Sequence, residues 1–217
     1  MTTQDAPRRQ RAYRPVIRQQ LVEAAVQEFA ARGFDGASTR AIAARVGAHQ
    51  PQINYHFASK EALWRAAAGH LFGLLHAELD GVGLDLHTIG SLPPGELAGR
   101  FGDAIRRFVR FAARHPELNR IMVHEGCMPT DRLRWLTDQH IRPLHTLIAA
   151  TWTRLRGAGI AAPVPVEVVH HVLVGAASLP YVVSAEVELL GFRTPTEPQW
   201  VEAHADGLVA ALLPGMP

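Results

Sequence analysis

Cysteine and lysine are almost missing from this chain of 217 residues, which contains one cysteine, Cys127, and one lysine, Lys60. A single cysteine cannot form an intramolecular disulfide, which argues against the class of small disulfide-stabilised secreted domains. The first residues carry charge and proline but no apolar stretch, so no secretory signal is recognised there. We therefore expect a protein of the reducing cytoplasm.

Long apolar runs and strand patterns are also scarce. The longest uncharged candidate, Val168 to Ala185, includes two histidines, two serines and a proline, which favours a buried helix over a membrane span. No alternating pattern of four to eight residues competes with the helical spacing of apolar residues found almost everywhere. The sequence predicts an all-α protein of about nine helices and no membrane partner.

Sequence signatures of catalysis and of metal binding are missing as well. There is no Gly-x-Ser-x-Gly motif, phosphate-binding glycine loop or dinucleotide fingerprint. The twelve histidines include no pair at the three- or four-residue spacing that places two ligands on one helix face. His170 and His171 are adjacent, and His140 and His145 are five apart. We expect no enzyme activity, no metal and no cofactor, and an ordinary structural role for Cys127.

The net charge of +2 is unevenly distributed. Residues 1–60 carry nine basic and four acidic side chains, a net charge of +5, whereas the remainder carries 13 basic and 16 acidic ones, a net charge of −3. A basic N-terminal quarter is typical of a surface that meets phosphates. The arginines between Arg8 and Arg18 could equally form a solvated tail. We predict a flexible basic arm at 1–13, a small helical region at 14–75 and a larger helical region at 76–217.

Capping residues and apolar spacing set the expected helices. The first runs from about Arg14 to Arg32 and ends at Gly33, and Ser38 caps a short second helix that ends at Gly47. Ser59 caps a fourth helix. The remaining predicted elements are a third helix at 50–57, a fourth helix that reaches about Asp80, a loop at 81–95, and helices near 97–112, 117–125, 131–156 with a bend at Pro143, 166–190 with an interruption at Pro180, and 197–213.

The segment VGAHQPQINYHFASKEAL, residues 46–63, concentrates hydrogen-bonding side chains on the short third helix. A short helix, a glycine turn and a second short helix form a helix-turn-helix, whose recognition helix lies in the DNA major groove. Gln50 and Gln52 lie near the start of this helix, where base contacts are usually made, and glutamine can pair with adenine through two hydrogen bonds. Ile53 and Phe57 are expected to anchor the opposite face, and phosphate contacts are expected from Asn54, Tyr55, His56 and Lys60.

Residues 38–63, STRAIAARVGAHQPQINYHFASKEAL, resemble the DNA-binding domain of the TetR family of bacterial transcriptional regulators. The Tyr-His-Phe triplet, the Ser-Lys-Glu-Ala-Leu start of the next helix and the helix spacing all coincide, and the resemblance covers about residues 14–75. It implies a DNA-binding domain at 14–75 and a helical ligand-binding and dimerisation domain at 76–217. The protein would then be a homodimer that responds to a small-molecule effector and places two recognition helices in successive major grooves. By position, the resemblance also implies phosphate contacts from Thr39, Tyr55, His56 and Lys60, and base contacts from Arg40, Gln50, Pro51 and Gln52.

One departure from the family pattern concerns the start of the third helix. Ala48 and His49 occupy the turn where a serine or threonine often caps that helix. The capping oxygen must then come from another residue, so the sequence does not determine which residue begins the helix.

The second half of the chain carries a weaker signal. Residues 107–126 are similar to a stretch found in many TetR-type effector domains. An apolar pocket is expected to be formed by Phe101, Phe108, Met122, Trp135, Trp152 and Tyr181, with His124, His140 or His145 as polar anchors. Ordinary core packing remains the alternative for each of these residues.

Two apolar stripes with small residues are expected to form a four-helix dimer interface. The alternative is that both stripes line the monomer core. The stripes are Val168, Val172, Gly175, Ala176 and Leu179 on one helix, and Trp200, His204, Leu208 and Leu212 on the other.

The expected function is that of a ligand-responsive transcriptional repressor, which binds a near-palindromic double-stranded operator as a homodimer and is released by a small, apolar effector. Two other classes stay open at this point. One is an effector-independent helical DNA-binding protein, such as an architectural or division factor. The other is a metal-dependent enzyme on a helical scaffold.

Overall fold

The computed structural model describes the backbone of residues 5–192 and 194–216, and the side chains of residues 17–192 and 194–216. Every regular element in these ranges is helical, which confirms the all-α prediction. The helices are α1 (Asp5–Gly36), α2 (Thr39–Arg45), α3 (Gln50–His56), α4 (Lys60–Leu79), α5 (Leu86–Ile89), α6 (Pro94–Arg114), α7 (Pro116–Gly126), α8 (Asp131–Leu136), α9 (Arg142–Gly157), α10 (Val166–Val182), α11 (Ser184–Leu189) and α12 (Pro198–Leu212).

The start of α1 is earlier than the sequence predicted. The helix begins at Asp5 rather than near Arg14, so it takes in most of the segment predicted as a basic arm. The arginines, glutamine and alanine of this segment have high helix propensity, to which the prediction gave too little weight. Residues 1–4 lie outside the described residues, and the flexibility of the arm stays a prediction.

The breaks around the helix-turn-helix follow the glycine and serine signals. Gly33 adopts φ 66° and ψ −179°, a conformation that interrupts the helical part of α1 before one further turn. Gly47 has φ 65° and ends the short α2 region. Ser38 Oγ accepts from the N–H of Ala41 at 3.3 Å, and Ser59 Oγ accepts from the N–H of Ala62 at 3.0 Å. Both predicted caps are confirmed.

The predicted loop at 81–95 is wrong in part, because it contains a short helix, α5. Asp85 caps this helix by accepting from the N–H groups of His87 and Thr88, at 2.7 and 2.8 Å. Thr88 Oγ1 in turn accepts from the N–H of Asp85 at 3.1 Å, which completes a reciprocal capping box. The hydrogen bonds from the Thr88 backbone lower the pKa of Asp85. The glycines and prolines of this segment predict turns, whereas its Asp-x-x-Thr sequence indicates the cap of a short helix, which the sequence analysis missed.

Two prolines bend the long C-terminal helices. Between α8 and α9 the chain forms a π-helical turn, Thr137–Ile141, in which the N–H of Arg142 bonds to the carbonyl of Thr137, five residues back. Pro143 follows at once and lacks the N–H that an α-helix requires. If α8–α9 and α10–α11 are each counted as one bent helix, the described residues form ten helices, and the helix beyond the predicted nine is α5.

The second bend is held by a neighbouring helix. Pro180 has no N–H to give to the carbonyl of Ala176, four residues earlier in α10. His204 Nε2 on α12 lies 3.0 Å from that carbonyl oxygen and therefore donates to it. The other ring nitrogen, Nδ1, then accepts from the hydroxyl of Tyr181 at 3.0 Å. Helix α10 ends at Val182, two residues after Pro180, and α11 follows to Leu189, close to the predicted limit at 190.

One continuous cluster of buried apolar residues joins the DNA-binding region to the C-terminal helices. Buried residues of α1–α4 pack together with Phe111, Leu118, Ile121 and Leu136 from α6, α7 and α8. A second cluster lies between α6, α9, α10 and α12. Helix α7 therefore touches the helix-turn-helix region directly, in addition to the continuous helix α4. In the described residues no helix combines the length and the hydropathy needed to cross a membrane.

Candidate DNA-recognition helix and effector cavity

The recognition helix α3 has one apolar and one polar face. Ile53 and Phe57 are 2% and 5% exposed and belong to the core of the helix-turn-helix region. Gln50, Pro51 and Asn54 are exposed, and Tyr55 is 62% exposed. Of the predicted DNA contacts on α3, Gln50, Pro51, Asn54 and Tyr55 therefore lie on the accessible face, whereas Gln52 and His56 are half-buried.

Gln52 has a structural role that the sequence analysis missed. The N–H of His49 donates to Gln52 Oε1 at 2.8 Å, so the glutamine side chain caps α3 from inside its own first turn. This identifies His49 as the residue before the helix and Gln50 as the first helical residue. The available signal was the absent serine or threonine, together with a glutamine three residues after the turn.

The residues expected at phosphates occupy the starts and ends of the short helices. Thr39 begins α2 and is half-buried, and Arg40 beside it is exposed. The half-buried His56 packs edge-on against Tyr55, with ring centroids 5.0 Å apart. Lys60 begins α4, where its Nζ donates to the carbonyl of Asp35 at 3.3 Å and lies 4.8 Å from the centroid of the Phe34 ring. DNA contacts by all of these residues stay predictions.

Glu28 is a second residue that the sequence analysis did not single out. Its side chain is 3% exposed, and it accepts from the N–H of Ser38 at 3.3 Å. It also pairs with Arg32 at 3.3 Å and with Arg45 at 3.5 Å. One carboxylate thus ties α1 to both ends of α2. The signal in the sequence was an acidic residue within an otherwise apolar stripe of a helix.

A cavity of about 730 Å³ lies in the C-terminal region, within the size range of small-molecule sites. Its walls come from α4, α6, α7, α8, α9 and α10, and most of its lining is apolar. Among the described lining residues there is no Asp, Glu, Lys or Arg. The polar lining residues are Asn119, Thr137, His145, Thr151, His170, His171 and Ser178.

Four of the candidate pocket residues line this cavity, namely Phe101, Phe108, Met122 and His145. The indole of Trp152 instead donates to the carbonyl of Val164 at 2.9 Å, in a fully buried position. Apolar spacing identified these side chains as buried, but it could not tell which of them face an empty volume.

The other four candidates also lie outside the lining, each for a local reason. Tyr181 bonds to His204, and His124 is exposed beside the turn of α1. Trp135 packs against Trp64, with ring centroids 6.1 Å apart. His140 stacks on Phe72 at 4.4 Å, and burial lowers its pKa. We therefore leave Trp152, Tyr181, His124, Trp135 and His140 out of the proposed site.

The two predicted dimer stripes have different surroundings. On α10, Val168, Val172 and Leu179 are exposed apolar residues, as expected of a face that meets a partner. On α12, Leu212 is buried in the monomer core, and His204 is engaged with α10. The α12 stripe therefore packs mainly within the monomer core, which was the alternative to a dimer interface. The exposed side of α12 carries small residues instead, among them Ala203 and Gly207.

No group of three or more His, Cys, Asp or Glu side chains within the described ranges is arranged to hold a metal ion. Cys127 is exposed, and its thiol lies 3.3 Å from the carbonyl of Val123, to which it can donate. The geometry thus contains a polar helix face and an apolar cavity as its candidate functional features.

Comparisons with known proteins agree with this division. Residues 21–67 match the model of the bacterial regulatory proteins of the tetR family, and residues 97–216 match the C-terminal domain of the HTH-type transcriptional dual regulator CecR. The HTH-type transcriptional dual regulator CecR of Shigella flexneri is 28% identical over 149 residues. That match covers 63% of this chain and 64% of the relative, so the chain spans somewhat less than two thirds of its length.

Solved structures share the fold at low sequence identity. AibR in complex with isovaleryl coenzyme A and operator DNA aligns with a TM-score of 0.63 and 20% identity, over 91% of this chain and 98% of that one. The ketosteroid transcriptional regulator KstR2 of Mycobacterium tuberculosis aligns with a TM-score of 0.66 and 17% identity, over 90% and 94%. The match to the CecR-type domain alone spans more than half of the chain. The protein therefore belongs to the TetR family of bacterial DNA-binding transcriptional regulators, a family of regulators rather than enzymes, and it carries a C-terminal domain of the CecR type.

Proposed function

We propose that this chain is a homodimeric, ligand-responsive transcriptional repressor, whose two α3 helices bind a near-palindromic operator and which a small, mainly apolar molecule releases. The observation that carries the proposal is the orientation of α3, with Ile53 and Phe57 buried and Gln50, Asn54 and Tyr55 facing outward. A helix anchored in this way can enter a major groove without unfolding its own core.

Dimerisation is supported by the exposed face of α10. Val168, Val172 and Leu179 form an apolar stripe at helical spacing that the monomer leaves uncovered. Small residues on the exposed side of α12, Ala203 and Gly207, would let a symmetry mate approach closely. A twofold dimer would then present two recognition helices about one turn of DNA apart.

The effector role is supported by the position of the cavity. Phe72 and Leu75 of α4 lie in its wall, and the same helix begins at Lys60 beside the recognition helix. A molecule that alters the position of α4 would alter the separation of the two recognition helices. If such a molecule weakens operator binding tenfold, the operator must weaken its binding tenfold as well, a coupling of about 1.4 kcal/mol.

A second connection runs through Arg132 on α8. Its Nε lies 3.0 Å from Glu125 Oε1, and its guanidinium lies 3.7 Å from the centroid of the Phe34 ring at the end of α1. The neighbouring residues Gly126 and Leu133 line the cavity. We propose that this cluster, together with α4, transmits changes in the cavity wall to the DNA-binding region.

The related structures suggest a chemical class for the effector. AibR was solved with isovaleryl coenzyme A and operator DNA, and KstR2 is described as a ketosteroid transcriptional regulator. These statements concern those proteins. For this chain, an apolar effector is supported by the lining of its own cavity.

Selection of duplexes from a random pool, followed by footprinting, tests the proposal. We expect a near-palindromic site protected on both halves, and loss of cooperative protection when Val172→Arg disrupts the α10 face. Sedimentation of the same variant should show a monomer, with the helical content unchanged. Failure of the protein to bind any duplex at low ionic strength would contradict the proposal. A reporter gene placed behind the selected site decides between repression and activation.

The effector-independent alternative makes a different prediction. Such a protein needs no internal volume, whereas this chain has a cavity of about 730 Å³. A thermal-shift screen with apolar compounds distinguishes the two: stabilisation by any compound that also weakens operator binding supports the effector role. The enzyme alternative is set aside, because the family consists of regulators.

A further inference from the structure

Two buried polar side chains restrict the chemistry of the molecule that the cavity takes, on the premise of the proposed function that it binds an effector. Asn119 on α7 and Thr151 on α9 both line the cavity. They are 6% and 0% exposed. A buried polar group without a hydrogen-bond partner costs free energy, so a native protein usually satisfies it with protein, water or ligand.

The amide of Asn119 is a donor without an acceptor. Its Nδ2 is buried and makes no hydrogen bond to any described residue. An amide nitrogen can only donate, so the group that satisfies it must be an acceptor. Within an apolar cavity that acceptor is naturally an oxygen of the bound molecule.

Thr151 differs from its neighbours on the same helix. The hydroxyls of Thr146 and Thr153 donate to the carbonyls of Arg142 and Ala149, four residues back, at 2.9 and 2.8 Å. This is the usual arrangement for threonine in a helix. Thr151 Oγ1 is buried and makes no such bond among the described residues. Thr151 therefore places a buried hydroxyl without a protein acceptor in the wall of the cavity.

The cavity offers no counterion to a charged effector. Among its described lining residues there is no arginine or lysine, and no aspartate or glutamate. Its histidines are His145, His170 and His171, and burial lowers the pKa of His170, with His171 and His145 adding to the effect. These surroundings disfavour a positive charge on the His170 imidazole, which makes it a poor counterion. Burial of a carboxylate or phosphate without a cation is strongly unfavourable.

We propose that the part of the effector held in the cavity is uncharged and mainly apolar and carries a hydrogen-bond-accepting oxygen, such as the carbonyl of a ketone, ester or thioester, and that Asn119 and Thr151 select it. The same carbonyl chemistry could come from a free ester or ketone, or from an acyl thioester of coenzyme A. A thioester would keep its phosphates outside the cavity, near the exposed lining residue Val123.

Displacement of Nile red, an uncharged apolar dye, from the full-length protein tests this proposal. The competing probes are methyl dodecanoate, sodium dodecanoate, tridecane, dodecanoyl coenzyme A and coenzyme A alone. We expect methyl dodecanoate to displace the dye at an about tenfold lower concentration than tridecane, the gain typical of one or two satisfied hydrogen bonds. Dodecanoate should be weaker than the ester. Displacement by dodecanoyl coenzyme A but not by coenzyme A would identify the thioester as a source.

Two variants test whether Thr151 and Asn119 select the carbonyl oxygen. Thr151→Val removes the hydroxyl at nearly constant shape, and Asn119→Leu removes the amide. Each should reduce the advantage of the ester over tridecane several-fold while leaving the affinity for tridecane unchanged. Thr153→Val is the matched control, because its hydroxyl is exposed and bonded to Ala149, and it should leave all affinities unchanged.

The outcomes separate this inference from the proposed function. If dodecanoate binds as tightly as the ester, or if both variants keep the full ester advantage, the inference is overturned while the effector role stands. If neither Nile red nor any probe binds to a protein that still binds its operator, the effector role itself fails, and this inference fails with it.

Discussion

Replacement of Gln52 separates two roles that its side chain combines. Gln52 Oε1 accepts from the N–H of His49 at 2.8 Å, which caps α3, and the same amide is predicted to contact a base. A carbonyl oxygen has two lone pairs, so it can cap the helix and accept from adenine at the same time. The cap then holds the amide ready for DNA. Gln52→Ala removes both interactions.

The magnitudes of the two losses are measured separately. Loss of a helix cap costs about 0.5–2 kcal/mol of stability, which lowers the Tm of a domain of this size by a few degrees. Loss of a bidentate base contact costs about 1–3 kcal/mol of discrimination at one base pair. We therefore expect Gln52→Ala to lower Tm and to abolish the preference at a single position of the operator.

Two further variants separate the capping role of Gln52 from its predicted base contact. Gln52→Glu keeps an acceptor for His49 but loses the amide donor, so it should retain the Tm of the wild type and change the base preference. Gln50→Ala, at an exposed neighbouring position, should alter DNA binding without changing Tm. Thermal unfolding and binding to a panel of single-base-pair operator variants give both readouts. Equal weakening on every duplex for Gln52→Ala would refute base reading, and an unchanged Tm would refute the capping role.

Three further predictions address the phosphate contacts, the Arg132 cluster and pH. Lys60→Ala should weaken binding to all duplexes similarly and lower the salt dependence by about one unit per protomer in anisotropy titrations, and a sequence-dependent loss would contradict this. Arg132→Met leaves Glu125 buried without its cation and should lower the free energy of unfolding, measured in urea, by about 3 kcal/mol. Adding Glu125→Leu to the same chain should restore much of that stability. A loss below about 1 kcal/mol for Arg132→Met would contradict the assignment. Burial, followed by the charge of His76, lowers the pKa of His140 in the folded protein. Unfolded chains therefore bind more protons, and the stability of the fold decreases as the pH drops below about 6.5. His140→Phe should raise stability and make this decrease with pH shallower, and an equally steep decrease would count against the assignment.

Local signals in the sequence predicted the DNA-binding region well, since its helix boundaries depend on nearby residues. Ser38 and Ser59 cap the helices that follow them, and Gly33 and Gly47 adopt positive φ angles where α1 is interrupted and where the α2 region ends. These features need only the neighbouring few residues of the chain. The same reasoning did not reveal that Gln52 caps α3, because one side chain was assigned a single role.

The cavity was predicted less completely, because its shape depends on contacts between distant segments. Phe101 and Trp152 have the same buried, aromatic character in the sequence, yet Phe101 lines the cavity, whereas the indole of Trp152 bonds to Val164. Tyr181 likewise faces His204, a residue on another helix. Apolar spacing indicates that such side chains are inside the protein, but hydrogen-bond partners are fixed only once the helices are packed.

The hydrogen bond from His204 to the Ala176 carbonyl makes the shape of α10 depend on α12. Helix α10 contributes His170 and Val174 to the cavity and Val172 to the exposed face. A shortened chain that ends before α12 would therefore lose more than its last helix: the carbonyl left open by Pro180 would need a new donor, and the curvature of α10 would relax. The proposed ligand capture and the proposed subunit pairing would then fail together, so deletion mapping of this protein cannot assign them to separate segments.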